Sequence, residues 1–369
     1  MKRIGIIYDS LEPSKGSHGT HLAFTGLPGT ELILADPNPA PPDLKRIGAA
    51  KHCLSWREML KNEHPDAVVL CSRLPVNHYP AAKAALELGI HVFCEKPVSS
   101  ELSELDELIA LAEKNHCLAG AAHLARYSKV FRTLKRCIDS GMIGTPLTFY
   151  GRGKEDERGG GEDLTVLGTH ILDIGCMLFG MPEHVFAEVY QNGHSLKYGD
   201  RLTPSEPVGP VAGDDIYARF RFPGGINGAF ESRRGLQNAR QVRMGVTVAG
   251  TKGTLSVRYD RDRFVRLSRS PYPPEDEAAY EIVPFDEIQE IPGAAPLHVS
   301  DFAIPYFAES NREAGRNFLA AMDGKEPLAC SFRDAGNVLE IINAIYFSAL
   351  QQCRVDFPLT DRSNPLTNQ

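Results

Sequence analysis

The sequence of 369 residues predicts an α/β fold of two domains, a doubly wound parallel sheet followed by an α+β domain on a mainly antiparallel sheet. In the first third of the chain, short continuous apolar runs alternate with helical patterns, as expected for parallel strands covered on both faces. Later runs such as 213–222 alternate apolar and polar residues, as half-buried antiparallel strands do. We place the domains at residues 1–124 and 125–369, since the chain is long enough for two.

Composition excludes several functional classes. The chain is 42% hydrophobic and 24% charged, which indicates a globular protein, and its net charge of −7 argues against nucleic acid or an anionic membrane as a partner. No run approaches the roughly 20 apolar residues of a membrane span, and the N-terminal apolar run is too short for a signal peptide. None of the eight cysteines has Cys-x-x-Cys spacing, so neither a zinc ribbon nor a redox dithiol is indicated. Several lie inside apolar runs, which predicts buried reduced thiols and a cytoplasmic location.

Five apolar runs predict the strands of the first sheet. They are 4–7, 32–34, 67–70, 92–94 and 118–122. Helical patterns separate them, including 81–88 and 102–112. Because the carboxyl ends of parallel strands share one edge, where such sheets bind ligands, the loops after these runs are candidate binding sites.

The first strand leads into a turn rich in glycine and serine and then into a predicted helix. A dinucleotide pyrophosphate would rest here on backbone N–H groups and a helix N-terminus. Gly16 and Gly19 are the candidate contacts. The complete G-x-G-x-x-G spacing is absent, so an ordinary loop is an equal alternative.

Polar residues also follow the next two strands. Asp36 ends the second strand, where a carboxylate holds both adenosine ribose hydroxyls; no arginine directly follows it to bind a 2′-phosphate, so NAD is favoured over NADP. The alternative for Asp36 is a turn residue before Pro37. The third strand empties into a polar, proline-bearing loop at the same edge, with Ser72 and His78 as further candidates.

The fourth strand ends in Glu95-Lys96-Pro97. Pro97 has no N–H and restricts Lys96 to extended geometry, so the strand must stop there. The peptide bond between them is a candidate for the cis form. A lysine fixed at the carboxyl edge of the sheet lies where a ligand would bind; the alternative is a surface lysine in a turn.

A second polar segment begins with the glycines 159–161, which lead into a predicted helix with an acidic first turn. At about 100° per residue, Asp163 and His170 share one face of this helix, and Asp173 lies one turn further. The alternative is a cap cluster with a buried histidine bonded to Asp173. No second histidine or cysteine has matching spacing, so no metal site is predicted.

Together these motifs resemble the Gfo/Idh/MocA oxidoreductase family, named after glucose–fructose oxidoreductase, inositol dehydrogenase and a rhizopine-catabolism protein. The resemblance rests on 66–69, 78, 84–89, 91–97, 126–127, 138–144, 250–255, 334–335 and 344–349. It spans nearly the whole chain, and Glu-Lys-Pro is its most distinctive part. It implies an N-terminal Rossmann domain that binds NAD(P), and a C-terminal domain whose large open sheet forms a homodimer or homotetramer.

The resemblance also implies roles for individual residues. Cofactor contacts would come from Gly16, Gly19, Asp36, Ser72, His78, Glu95 and Lys96. Substrate contacts would come from Arg126, Arg152, Arg158, Asp163 and His170. Arg152 and Arg158 are included only for their position beside the cleft, not for the resemblance, and each is explained equally well as a solvated surface charge. Catalysis would use Lys96, His170 and Asp173.

In the implied reaction a hydride leaves a C–H bond for the nicotinamide while the hydroxyl proton leaves to a base. Lys96 would stabilise the developing negative charge, and His170, oriented by Asp173, would take the proton. The family carries an aspartate one turn before this histidine, where the chain has Val166, and Asp163 is the candidate substitute. The mechanism requires Lys96 and His170, from separate domains, to face one nicotinamide ring.

Three functions remain open at this point. The first is an NAD(P)-dependent dehydrogenase or reductase of a sugar, cyclitol or related polyol. The second is a glycosidase or lyase of the same fold that retains its NAD and oxidises the substrate transiently, which the valine at 166 allows. The third is a non-catalytic, cofactor-binding regulator, against which the presence of both Lys96 and His170 argues.

Overall fold

The computed structural model describes residues 1–12, 19–236, 243–259, 262–285, 291–295 and 305–367. The chain divides into two compact units: Met1–Ser128 with Ile288–Gly336, and Lys129–Glu287 with Asn337–Gln369. The predicted boundary between 124 and 125 lies close to the end of the first segment. A single boundary leaves out the return of residues 288–336 to the first unit, because apolar periodicity does not reveal which unit a late segment joins.

The first unit contains a six-stranded parallel sheet. Its strands are β1 (Lys2–Ile7), β2 (Thr30–Ala35), β3 (Lys51–Cys53), β4 (Ala67–Leu70), β5 (His91–Cys94) and β6 (Ala119–Ala121). They follow the order β3-β2-β1-β4-β5-β6, which reverses between β1 and β4, as in a doubly wound fold. The predicted fold class and five strands are confirmed. The sequence does not predict β3, a short and partly polar strand at the edge.

The α-helices are distributed over both units. Those in the described residues are α1 (Leu44–Ile47), α2 (Trp56–Glu63), α3 (Pro75–Glu87), α4 (Leu102–Lys114), α5 (Lys129–Asp139), α6 (Gly161–Asp163), α7 (Thr169–Phe179), α8 (Pro305–Met322) and α9 (Phe332–Gln351). The helix predicted after β1 is wrong, because the described residues there form only a 3₁₀ turn, Thr20–Leu22. Gly19 and Gly26 both have positive φ and interrupt the helical path on either side.

The core of the first unit explains its continuous apolar runs. All four residues of β4 are buried, as expected for a strand covered on both faces. Phe24, Phe93 and Phe318 meet edge to face, with ring centroids 6.0, 6.0 and 5.5 Å apart. Because Phe93 belongs to β5, this aromatic cluster fixes the strand that ends in the lysine turn.

The second unit contains a ten-stranded sheet. Its strands are β7 (Pro146–Arg152), β8 (His184–Gln191), β9 (His194–Ser195), β10 (Asp215–Phe222), β11 (Ile226–Arg233), β12 (Gly245–Gly250), β13 (Thr254–Arg258), β14 (Val265–Ser268), β15 (Glu281–Val283) and β16 (Val355–Asp356). The order is β15-β14-β13-β12-β7-β11-β10-β8-β16, and β9 pairs with β8. β7 and β11 pair in parallel and the other pairs of described strands are antiparallel, which confirms the prediction of a mainly antiparallel sheet.

One face of this sheet is covered by helix, and successive side chains along a strand such as β10 point alternately to this face and to the opposite, exposed face. On β10, Ile216 is fully buried, whereas Arg219 is exposed and places its guanidinium 5.2 Å from the ring centroid of Phe186 on β8. On the covered face α7 lies close to β7, since a Cβ atom at Gly151 would stand 2.4 Å from Ile171 Cγ2. The glycine therefore lets the helix approach the sheet.

Two expectations from composition concern membranes and thiols. Among the described residues, no helix combines the length and the apolar character that crossing a bilayer requires. All eight cysteines are free, and most of them are buried, as the sequence predicts for reduced thiols.

Candidate active site

Lys96 is the second residue after β5, which lies between β4 and β6, and it is placed at the carboxyl edge of the parallel sheet. It is only 5% exposed, so the alternative of a solvated surface lysine is wrong. The Lys96–Pro97 peptide bond is cis, as the sequence allows. Lysine is rarely buried to this degree without a partner for its charge. The fold therefore holds this buried ammonium group at the edge of the sheet where parallel α/β sheets bind ligands.

Glu95 fastens the end of β5 to the turn that follows β1. Its side chain is buried and accepts hydrogen bonds from the Thr20 hydroxyl and, at 3.1 Å, from the Lys96 backbone N–H. The carboxylate thus links the backbone N–H of Lys96 to the turn that contains Thr20. This contact gives Glu95 a structural role, and its predicted cofactor contact stays a prediction.

His78 holds the lysine turn from the other side. Its Nε2 lies 2.8 Å from the Ser72 carbonyl oxygen, and its Nδ1 lies 3.0 Å from the Pro97 carbonyl oxygen and 3.3 Å from that of Val98. Whichever ring nitrogen carries the proton donates to a backbone carbonyl. Burial lowers the pKa of His78, which favours the neutral ring. The imidazole therefore ties the loop after β4 to the turn after Lys96.

Asp36 is buried at the end of β2 and faces the loop that follows β1. Both of its carboxylate oxygens lie 3.3 Å from the Ser10 backbone nitrogen, the Ser10 hydroxyl donates to Oδ1 at 3.2 Å, and the Asn38 N–H donates to Oδ1 at 2.9 Å. The carboxylate occupies the predicted position beside β1. Its hydrogen bonds with Ser10 and Asn38 also stabilise the turn before and after it. A structural role in the turn is therefore compatible with the predicted role in binding the ribose.

Ser72 and Asn77 bind a carboxylate that the sequence analysis does not single out. The Ser72 hydroxyl lies 2.9 and 3.1 Å from the two carboxylate oxygens of Glu12, and Asn77 Nδ2 donates to Glu12 Oε1 at 3.0 Å. Glu12 belongs to the loop after β1, whereas the other two follow β4. A single glutamate in a loop carries no pattern, so only the fold reveals this contact across the point where the strand order reverses.

The turn after β1 departs from a short glycine turn. Tyr8, the first residue after β1, stacks on His21 with ring centroids 4.8 Å apart and planes at 5°. Gly19 has a φ of 88° and precedes a 3₁₀ turn rather than an α-helix. Gly16 lies outside the described residues. The predicted pyrophosphate contacts of both glycines therefore stay predictions.

The described residues of the first unit fit a nicotinamide dinucleotide at both ends of the ligand. Asp36 at the end of β2 would hold the adenosine ribose, and Lys96 at the end of β5 would lie on the nicotinamide side. The reversal of strand order between β1 and β4 supplies the crevice. Ser72, at the end of β4, borders the path between them.

The helical segment of the second unit is not a regular α-helix. α6 continues through a π-helical stretch, Leu164–Gly168, into α7. Single π turns are rare and often occur at functional sites. Because each π turn holds one residue more than an α turn, the shared face calculated at 100° per residue does not extend across this stretch, and the sequence gives no warning of it.

Val166 lies within the π stretch and packs against Val208 and Val211, all three of them buried. Leu167 and Leu202 complete the same apolar cluster. A carboxylate at this position would lie among these apolar side chains and would lose hydration there. Valine therefore suits this position better than the aspartate that the family carries.

His170 and Asp173 lie in α7 and are 5% and 0% exposed. The imidazole packs against Tyr259, with ring centroids 5.2 Å apart and planes inclined by 30°. Tyr259 directly follows β13, far along the chain, so its proximity to His170 is not visible from sequence. The expected pairing of the imidazole with Asp173 stays a prediction.

Asp163 supports the loop before the helix. It is fully buried and accepts from the Ser232 hydroxyl at 2.5 Å and from the Lys154 N–H at 2.8 Å. Burial raises the pKa of Asp163 to about 6. The neighbouring glycines permit the tight path, since a Cβ atom at Gly161 would stand 2.1 Å from the Ala212 carbonyl oxygen.

The three arginines predicted to bind substrate all pair with carboxylates of the protein. Arg126 is paired with Asp334 at 3.0 Å, within the first unit. In the second unit, Arg152 is paired with Glu231 and, at 3.2 Å, with Glu155, and Arg158 is paired with Asp156 at 2.7 Å and Glu206 at 2.8 Å. These ion pairs account for the arginines structurally, and their substrate contacts stay predictions.

The structure thus groups the predicted residues by unit. At the sheet edge of the first unit it brings together Asp36, Ser72, His78, Glu95 and Lys96. In the second unit His170 and Asp173 share α7, whereas Asp163 lies before the π stretch. A six-stranded parallel sheet whose strand order reverses at β1 and β4, with polar side chains at its carboxyl edge, is the architecture of a dinucleotide-binding Rossmann domain.

Comparison with protein families identifies the group. The family model described as "Oxidoreductase family, NAD-binding Rossmann fold" matches residues 34–123, and that of the GFO/IDH/MocA C-terminal domain matches residues 131–256. Together they cover more than half of the chain, which therefore belongs to the Gfo/Idh/MocA family, as the resemblance implies. The first match begins after the loop of β1, the part in which the chain departs from the glycine pattern.

Curated relatives agree with this assignment. The chain is 26% identical to levoglucosan dehydrogenase of Pseudarthrobacter phenanthrenivorans over 360 residues. This aligned region covers 88% of this chain and 89% of that protein. It is 25% identical over 230 residues to myo-inositol 2-dehydrogenase of Thermotoga maritima, covering 61% of this chain and 66% of that enzyme. The match to the uncharacterized oxidoreductase YrbE of Bacillus subtilis, at 28% identity, covers 60% of this chain and 64% of that protein. The chain thus spans less than two thirds of YrbE.

Solved structures share the fold over nearly the whole chain. Levoglucosan dehydrogenase in complex with NADH and levoglucosan superposes with a TM-score of 0.76 at 21% identity, covering 97% of this chain and 100% of that one. The WlbA dehydrogenase from Bordetella pertussis, in complex with NADH and UDP-GlcNAcA, gives 0.67 at 18% identity, covering 97% and 98%. At these identities the likeness is one of fold.

Proposed function

We propose that this protein is an NAD-dependent oxidoreductase that transfers a hydride between the nicotinamide and a carbinol carbon of a sugar, cyclitol or related polyol. The observation that carries the proposal is the burial of Lys96 at the end of β5, beside the crevice of an NAD-binding fold. The names of two relatives, a levoglucosan and a myo-inositol dehydrogenase, support the substrate class.

Lys96 would act on the substrate oxygen. Bound NAD would supply the hydride acceptor. As the hydroxyl proton leaves to the base, the substrate oxygen gains negative charge, which is lost again when the hydride leaves the carbon and the carbonyl forms. An ammonium group hydrogen-bonded to that oxygen lowers the pKa of the hydroxyl and stabilises this charge, the more so when water is excluded. Glu95 and His78 fix the backbone on either side of Lys96, which keeps its side chain directed to one place.

His170 would accept the hydroxyl proton, and Asp173 would select its tautomer. A neutral imidazole is suited to this role near neutral pH, and such assistance contributes about 10²–10⁴-fold to the rate. Asp36 would favour NAD, because the 2′-phosphate of NADP would meet its carboxylate.

A second function is favoured by one observation, the valine cluster around position 166. Val166 cannot assist proton transfer at the carbinol as the aspartate of the family would. This favours an NAD-retaining glycosidase or lyase that oxidises its substrate transiently. The two functions differ in the fate of the hydride. Net formation of NADH with a sugar or inositol supports the dehydrogenase, and turnover of a glycoside without net NADH supports the alternative.

The decisive experiment combines a substrate screen with two substitutions. Sugars, inositols and glycosides are offered with NAD, and kcat is then measured for Lys96→Met and His170→Gln. Each variant should lose at least about 10²-fold in kcat, while NADH binding, followed by its fluorescence, stays within a few-fold. Lys61→Met, at an exposed position of α2, is the control and should behave as wild type. Activity near that of wild type in either active-site variant contradicts the assigned role.

A further inference from the structure

Tyr259 supplies the aromatic surface against which the imidazole of His170 packs. The two ring centroids are 5.2 Å apart and the planes are inclined by 30°. Tyr259 is 2% exposed and His170 is 5% exposed, so the contact is shielded from water. Neither the family resemblance nor any sequence pattern singles out this tyrosine.

The tyrosine is itself held on two sides. Its backbone N–H donates to the Met244 carbonyl oxygen at 2.8 Å, which fixes the chain where it leaves β13. Its ring packs against Phe131 of α5, with centroids 5.6 Å apart and planes inclined by 35°. Three rings from three different elements therefore form a buried column, His170–Tyr259–Phe131. A tyrosine restrained in this way presents its ring in a fixed position.

A fixed ring beside an imidazole restricts rotation of the imidazole about its Cβ–Cγ bond. A proton acceptor must keep one ring nitrogen aimed at the reacting hydroxyl, and a misplacement of about 1 Å can cost roughly 10²-fold in rate. The π-helical stretch directly before α7 ends two residues before His170, so the backbone on that side is not a regular helix. Side-chain packing against Tyr259 is therefore one constraint on the orientation of the imidazole.

We infer that Tyr259 is a positioning residue, which holds the His170 imidazole in its working orientation through face contact between the rings. The inference rests on the proposed function, because it gives a purpose to the orientation of His170. The ring contact itself does not depend on that function. The role belongs to the ring of Tyr259, so phenylalanine should replace it and an aliphatic side chain should not.

The test uses Tyr259→Phe, Tyr259→Leu and, should leucine prevent folding, Tyr259→Met. Leu267→Ala on the adjacent strand β14 controls for the loss of a buried apolar side chain from the same sheet, since Leu267 is 1% exposed. The first readout is the Cε1–H signal of His170 in a ¹H–¹³C spectrum of histidine-labelled protein, assigned with His170→Gln. An adjacent aromatic ring displaces this signal by its ring current.

We expect the displaced signal in wild type, Tyr259→Phe and Leu267→Ala, and its return toward the random-coil position in Tyr259→Leu and Tyr259→Met. With the substrate found in the screen, the leucine variant should lose roughly 10- to 100-fold in kcat with KM within about threefold, and the phenylalanine variant should stay within about threefold of wild type. An unchanged His170 signal in the aliphatic variants overturns the inference. Equal losses of kcat in the phenylalanine and leucine variants also overturn it.

The spectrum separates this inference from the proposed function. If no polyol is turned over by wild type, the proposed function fails, yet the signal of His170 still decides whether Tyr259 sets the ring orientation. If polyols are oxidised and the aliphatic variants keep full kcat, the proposed function stands and the positioning role of Tyr259 is wrong.

Discussion

Asp163 shows how a single buried carboxyl group makes the stability of this fold depend on pH. Its ordinary pKa is 3.8, and burial raises it to about 6 in the folded protein, against the opposing hydrogen bonds from Ser232, Glu155 and Lys154. The folded state therefore holds this proton more tightly than the unfolded chain. The stabilisation is complete below pH 4, declines as pH rises through the interval between the two pKa values, and is lost above about pH 6.

Asp163→Asn should remove this dependence. The shift of about two units corresponds to about 3 kcal/mol, an upper value for a buried group, so the free energy of unfolding of the variant relative to wild type should rise by 1–3 kcal/mol, roughly, between pH 4 and pH 7. Urea denaturation at each pH measures it. Asp139→Asn, on the exposed face of α5, is the control. A difference between Asp163→Asn and wild type that is constant with pH would contradict the assignment.

Val166 illustrates at the same scale why a family residue cannot simply be restored. Val166→Asp would place a carboxylate among Val208, Val211 and Leu202. We expect the free energy of unfolding to fall by about 2–4 kcal/mol and activity not to rise. Val166→Thr, whose side chain has nearly the same volume as valine, should lose clearly less free energy of unfolding than Val166→Asp. Urea denaturation of both variants measures the difference. A variant Val166→Asp that is as stable as wild type and more active would show that position 166 faces the substrate.

At the scale of elements, the loop after β1 is the part of the first unit that differs most from the pattern of its family. Glu12 reaches across to Ser72 and Asn77 after β4, and these two loops border the crevice at the reversal of strand order. A dinucleotide brings its own negative charge to this place. The carboxylate of Glu12 and the pyrophosphate should therefore repel each other.

Glu12→Gln should bind NADH more tightly than wild type. Removing one unit of repulsion near the protein surface is worth about 1 kcal/mol, or roughly fivefold in Kd. Titration of NADH fluorescence at low and high salt measures the change, which should shrink as salt screens the charges. Glu58→Gln on α2 is the control. Weaker binding by Glu12→Gln would mean that Glu12 contacts the cofactor rather than opposing it.

The helix of the second unit shows a different limit of sequence analysis. Its beginning after three glycines and its acidic first turn are visible in the sequence, and the structure confirms a helix there. The π stretch 164–168 is not visible in the sequence, whereas in the structure Val166 within it packs against Val208 and Val211. A face assigned by α-helical periodicity is therefore unreliable wherever tertiary contacts insert such a turn.

At the scale of the whole molecule, the open face of the ten-stranded sheet is the surface on which we expect subunits to associate. It carries Arg219 over Phe186, and Tyr190 on the same strand as Phe186 is 37% exposed. Large aromatic groups and arginines are enriched at protein interfaces. We therefore predict a homodimer or homotetramer.

Arg219→Asp tests this surface. Light scattering should give the mass of a dimer or tetramer for wild type and a smaller mass for the variant, because a carboxylate would face the partner in place of a guanidinium that stacks on Phe186. Arg57→Asp, exposed on α2 of the first unit, should keep the wild-type mass. An unchanged mass in Arg219→Asp would place the interface elsewhere.

The sequence by itself determined the type of each sheet. Continuous apolar runs such as 67–70 can be stable only where both faces are covered, and the alternation on 215–222 fits only a sheet with one covered face. It also predicted that Lys96 lies at the carboxyl edge of the sheet, because Pro97 cannot continue a strand, and β5 indeed ends at Cys94. These features are local, so the residues that cause them are neighbours in the chain.

Only the tertiary structure decided what surrounds those residues. Three features join segments that are distant in sequence. They are the hydrogen bond between Ser72 and Glu12, the ring contact between Tyr259 and His170, and the return of residues 288–336 to the first unit. Such contacts depend on how elements pack, and packing is a property of the assembled core that no periodicity records. The turn at Lys96 thus follows from neighbouring residues in the chain. The packing of Tyr259 and Phe131 beside His170 depends instead on tertiary contacts between distant segments.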